Sequence, residues 1–75
     1  SLVDLAESEV TARHGLRYAP DEVWDGTHGY SDEETERRLV ARMGRTAYER
    51  ARAAVRADLL ASPDAAVRER AADYA

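Results

Sequence analysis

The sequence predicts a small all-α bundle, and three observations predict it. Residues 31–61, SDEETERRLVARMGRTAYERARAAVRADLLA, place apolar side chains on one arc at about 100° per residue. Helix-start signals recur at Ser1, Ser31 and Ser62. The chain between them is rich in Ala, Arg and Glu, all strong helix formers. The expected bundle has three principal helices, over residues 2–14, 32–61 and 63–74, with a short helical turn near residues 20–24. The long central helix is expected to be packed by the N- and C-terminal helices.

In the first helix, Ser1 can cap the free amides and Asp4 stands where its carboxylate can answer. Leu2, Val3, Leu5, Ala6 and Val10 form a helical stripe. Gly15 should end the run, with Leu16 supplying the apolar contact that closes many helix ends. His14 suits a capping position at that end of the dipole. Residues 17–30, RYAPDEVWDGTHGY, are punctuated by Pro20, Gly26 and Gly29. Pro20 followed by Asp21 and Glu22 can start the short turn. Trp24 is the largest apolar surface in a chain without Phe or Ile, and burying it would contribute roughly 2 to 3 kcal/mol. The expectation is that Trp24 fills the core between helices; the alternative is a partner-binding anchor.

The central stretch begins at a second capping box, Ser31 with Glu34, and Asp32, Glu33 and Glu36 add negative charge at the positive end of the dipole. Leu39, Val40, Met43, Ala47, Ala51, Ala54 and Val55 share the apolar arc, while Arg38, Arg42, Arg45, Arg52 and Arg56 fall opposite. Gly44 interrupts this pattern, because glycine inside a helix costs about 1 kcal/mol relative to alanine. Thr46 and Glu49 repeat the capping-box spacing just beyond it. Either one helix runs through, or one helix ends near Met43, Gly44 takes a positive φ and a new helix starts after Thr46. The continuous helix is the expected form, since the apolar arc keeps its phase across Gly44.

For the last helix, Ser62, Pro63 and Asp64 combine a capping hydroxyl, a proline at the first helical position and an early acid. This last helix carries Ala65, Ala66, Val67, Ala71 and Tyr74. LLASPDAAVRERAADYA resembles one helix of a HEAT-type repeat, but no second copy exists at a fixed period and the family is not adopted. Faces built from Ala47, Ala51, Ala54, Ala65, Ala66 and Ala71 allow close helix approach while burying little area each. The isolated fold is therefore expected to be marginal and to gain stability from self-association or a partner.

Seventy-five residues allow one domain and one modest core. Residues 1–75 are read as a single helical domain, and an opening on Ser1 rather than Met is what a trimmed or partial chain would show. The formal charge of -4, from 15 acids and 11 bases, leaves no general excess for binding polyanions. Ten of the acids precede Arg37, whereas residues 37–56 hold seven Arg and only Glu49. All bases are Arg, and Lys, Ile, Phe, Asn, Gln and Cys are absent. That pattern points to a GC-rich, bacterial genome, and it weakens any claim that a particular Arg was selected for its fork-shaped guanidinium. Without Cys there is no disulfide, thiolate nucleophile or zinc-thiolate site. No apolar run is long enough for a membrane span or signal sequence, so a cytoplasmic protein is expected.

No set of residues points to catalysis or to a cofactor. His28 lies between glycines near Asp25 and Asp32, but the spacing matches no metal site and flanking glycines orient a ligand poorly. Adjacent acids such as Asp32 and Glu33 belong at a helix start for dipole reasons rather than for acid/base work. The expected function is a non-catalytic helical protein–protein interaction module, a small bacterial regulatory or accessory protein, with self-association as one form of it. Its candidate contact residues are Arg38, Arg42, Arg45, Arg52, Arg56 and Trp24.

The alternative is DNA binding. LVARMGRTAYERARAAV resembles a helix-turn-helix, with Leu39 and Met43 apolar, Gly44 at the turn, Thr46 as cap, and Tyr48, Arg50 and Arg52 facing a groove. The resemblance covers about a third of the chain. It departs at Arg50, where the family carries a branched aliphatic. A helical Gly44 removes the main support for this alternative, and a turned Gly44 would move it to first place, with residues 46–56 as the reading helix.

Overall fold

The computed structural model describes residues 1–16 and 31–75. The expected turn near Pro20, and with it Tyr18, Trp24, His28 and Tyr30, lies outside the described residues. Among the described residues four helices pack together: α1 (Leu2–Arg13), α2 (Asp32–Met43), α3 (Arg45–Leu60) and α4 (Ala65–Glu69), the last running into a 3-10 turn, Arg70–Tyr74. The described residues contain no strand, and the chain is an all-α bundle as its sequence predicts.

α1 forms as its end signals require. Ser1 Oγ accepts the Asp4 amide at 3.2 Å, and the Asp4 side chain answers the Ser1 backbone to complete the capping box. At the other end Gly15 adopts φ +75. The Leu16 N–H donates to the Thr11 carbonyl at 2.9 Å and the Gly15 N–H to that of Ala12 at 3.1 Å, the paired closure of a Schellman end. Leu16 then packs against both apolar clusters formed among the described residues.

α2 is capped by Ser31, whose Oγ accepts the Glu34 amide at 3.2 Å. The Glu34 carboxylate, expected to return to Ser31, binds Arg37 and Arg38 instead. A charge-assisted bond to guanidinium is roughly twice as strong as one to a neutral amide.

The expected continuous helix over 32–61 is corrected at Gly44, which stands at φ +86, ψ 153. This backbone region is open essentially only to glycine. The Gly44 N–H still closes α2 on the Val40 carbonyl at 2.8 Å, and its own carbonyl accepts the Tyr48 N–H at 3.0 Å to open α3. One residue thus ends one helix and begins the next. Thr46, expected to cap the second helix, lies inside the first turn of α3, which has no side-chain cap.

The reason for the break is visible in the core. Leu39 and Tyr48 are each 3% exposed and belong to one buried cluster with Val40 and Met43 at its edge. Nine residues apart at about 100° each, they would stand on opposite sides of an unbroken helix. Breaking at Gly44 lets α2 and α3 turn these side chains toward each other. The buried line on α3 is consequently Tyr48, Ala51, Val55 and Leu59, and Ala47, expected in the arc, is exposed.

Val55 and Leu59 are fully buried and form the main core with Val67 and Ala71, flanked by Val3, Ala6, Val10 and Tyr74. α4 starts two residues later than expected. Ser62 Oγ does receive the Asp64 N–H at 3.1 Å, as a cap would. Asp64 itself is extended, however, and its Oδ1 caps Ala66 at 2.9 Å, so the helix begins at Ala65. Of the alanines expected at close helix contacts, Ala51 and Ala71 are buried, whereas Ala65 and Ala66 are exposed.

Candidate functional site

The arginines expected to form one exposed face do not act as one. Arg38 binds Glu34 at 2.9 Å. Arg45 pairs with Glu49 at 3.3 Å and lies 5.8 Å from the centre of the Tyr48 ring. Arg42 is exposed near the end of α2. Arg50 and Arg56 are exposed on α3, six residues and therefore about 120° apart around it.

Arg52 departs furthest from expectation. It is half-buried and lies between two rings, 5.9 Å from the centre of Tyr48 and 5.6 Å from that of Tyr74. Its guanidinium donates to the Tyr48 hydroxyl at 3.4 Å and to the backbone carbonyls of Asp73 at 3.2 Å and Ala75 at 3.5 Å. Those carbonyls are the open end of the 3-10 turn, where a cation satisfies acceptors that have no helical partner. Arg52 therefore ties α3 to the C-terminal turn. Tyr48, expected to face a groove in the DNA reading, points inward, and its hydroxyl donates to Glu36 of α2 at 3.2 Å.

A cleft of about 450 Å³ opens beside this cluster, lined by Glu7, Asp32, Glu36, Tyr48, Arg52, Asp73 and Tyr74 among others. Among the described lining residues, the acids outnumber the one guanidinium. Glu36 and Glu7 already accept hydrogen bonds from the Tyr48 and Tyr74 hydroxyls, the latter at 2.7 Å. Among the described residues no group of His and acids is arranged to hold a metal ion, and none of the described helices is long and apolar enough to cross a membrane.

The second polar cluster holds α1. Arg70 donates to Asp4 and Glu7, both at 2.8 Å, and Tyr74 shares Glu7. At the far end of α1, Asp58 of α3 takes Arg13 at 3.2 Å and His14 Nε2 at 2.7 Å. His14 is the C-cap of α1, at the helix end as expected, but its imidazole reaches another helix rather than its own carbonyls. Asp4 and Glu7 are three apart and Arg70 and Tyr74 four apart, so each pair shares a helix face. That spacing is the signal by which they could be found in sequence; their meeting across the fold is not written there.

The Arg70 hydrogen bond, then that of Ser1, holds Asp4 at about 2, below its ordinary 3.8. His14 likewise keeps Asp58 below the usual carboxylate range. Burial, then the Glu7 hydrogen bond, pushes the Tyr74 phenol above its ordinary range. For Asp4 the folded state favours the charged form, so its contribution is complete above 3.8 and is lost as pH falls toward about 2. The thermal midpoint is therefore expected to drop across that acid window, and Asp4→Asn to flatten the drop. A midpoint independent of pH there would show that these pairs do not stabilise the fold.

Among the described residues three large apolar side chains are exposed: Leu2 at 83%, Leu5 at 54% and Leu60 at 46%. Leu2 and Leu5 are three apart and occupy the outward side of α1, while Val3, Ala6 and Val10 face the core. Trp24, the remaining candidate contact residue, lies outside the described residues. No known family model matches the chain, and neither a curated protein nor a solved structure matches it.

Proposed function

We propose that this chain is a non-catalytic helical interaction module, a small regulatory or accessory protein of the bacterial cytoplasm that presents a helical face to another protein or to a second copy of itself. The observation that carries the reading is the outward pair Leu2 and Leu5, exposed on successive turns of α1 and unused by the core. Exposed leucines in a helix stripe suit a partner's apolar surface better than they suit water. Sedimentation is expected to reveal association that depends on concentration and disappears in Leu2→Glu/Leu5→Glu. Acids near a helix start complement the dipole, so this variant keeps its helix content. A stable monomer, together with pull-downs from a GC-rich bacterial host that recover no protein, defeats the proposal.

The break at Gly44 favours a second reading, DNA binding through α3. Against it stand the inward Tyr48, the engagement of Arg52 and Arg45 with neighbours, and the net charge of -4, which opposes the phosphate term of non-specific binding. A gel shift at low salt separates the two. Retention that falls steeply with salt and is lost in Arg50→Glu/Arg56→Glu brings DNA binding forward, and absence of retention removes it.

A further inference from the structure

We infer that α1 is a detachable cover, which opens as a unit and uncovers the groove of Val55, Leu59, Val67 and Ala71 while the remaining helices stay folded. α1 is weakly seated by apolar contact. Its one buried residue is Thr11, and Val3, Ala6 and Val10 reach the groove only half-buried. Its ends are held by polar clamps instead: Arg70 on Asp4 and Glu7 at one end, and Asp58 on Arg13 and His14 at the other. The Asp4–Arg70 and Arg13–Asp58 pairs are open to water, and such pairs are individually weak and are screened by salt.

The rest of the bundle has its own ties. Arg52 joins α3 to the carbonyls of the C-terminal turn. Arg68 donates to the Ser62 carbonyl at 2.8 Å, closing α4 onto the preceding loop. Tyr48 joins α3 to α2 through Glu36. None of these bonds involves α1. Elements with few buried apolar contacts open at lower free energy than the core, and α1 fits that description while α3 does not.

Native-state hydrogen exchange on the full chain tests this. The interior amides of α1, Ala6 to Arg13, are expected to exchange at least about tenfold faster than those of Val55 to Leu59 in α3. Raising salt from about 0.01 M to about 1 M, which shortens the Debye length from about 30 Å to about 3 Å, should widen that gap. Arg70→Met, which keeps the aliphatic stem but removes one clamp, should accelerate α1 several-fold and leave α3 unchanged. If that variant loses its helical circular dichroism, Tyr74→Phe, which removes only the bond to Glu7, takes its place. Equal protection of α1 and α3, with the same response to salt and to the variant, would mean that α1 leaves only by global unfolding and overturns the inference.

Discussion

Leu59→Ala is expected to unfold most of the protein at room temperature. Leu59 has no exposed surface and lies at the centre of the main core with Val55, Val67 and Ala71. Truncating a buried leucine costs about 2 to 5 kcal/mol, the transfer of the lost methyl groups plus the cavity left behind. A domain of this size draws roughly 3 to 5 kcal/mol from its single core, so the loss is comparable with the whole stability. The neighbouring Leu60→Ala is the matched control. Leu60 is 46% exposed, and its truncation should change stability by no more than about 0.5 kcal/mol. Urea denaturation followed by circular dichroism measures both, and similar effects from the two leucines would contradict the packing described.

Gly44→Ala is expected to destabilise by about 1 to 3 kcal/mol, the cost of holding a non-glycine residue in a sparsely populated backbone region. A Cβ at this position would meet nothing within 4 Å, so the penalty is one of backbone conformation rather than of collision. For a domain of this size each kcal/mol lowers the thermal midpoint by roughly 4 to 8 °C. The same substitution in a continuous helix would stabilise by about 1 kcal/mol through helix propensity. The two expectations have opposite signs, which makes the variant a direct solution test of the break.

How legible the fold was depended on the range of the interactions concerned. Ser1 with Asp4, Ser31 as a cap, and the closure at Gly15 with Leu16 all appear as read, because each end signal acts within a few residues. Gly44 was legible as an alternative but not as the outcome. The arc through Leu39, Val40, Met43, Ala47 and Ala51 keeps a helical phase, and local propensity favours continuity. What competes with it is the burial of Leu39 against Tyr48, a pair that no unbroken helix can bring together. Arg52 was misread for a related reason. Its position opposite the expected arc predicts an exposed cation, yet the face buried on α3 is rotated, so Arg52 falls at the edge of the core beside Tyr74.

By itself the sequence determined the helical class, the start of α1 after Ser1 and of α2 after Ser31, the end of α1 at Gly15, and the absence of any cysteine chemistry. These follow from capping, propensity and composition, which act locally. The tertiary structure alone decided that the stretch from Ser31 to Ala61 is two helices, that Arg52 is a tie between α3 and the C-terminal turn, and that Asp4 and Glu7 meet Arg70. Each of these depends on groups far apart in the chain or on opposite sides of a helix. Their energies appear only when packing brings them together, and local periodicity carries no information about that meeting.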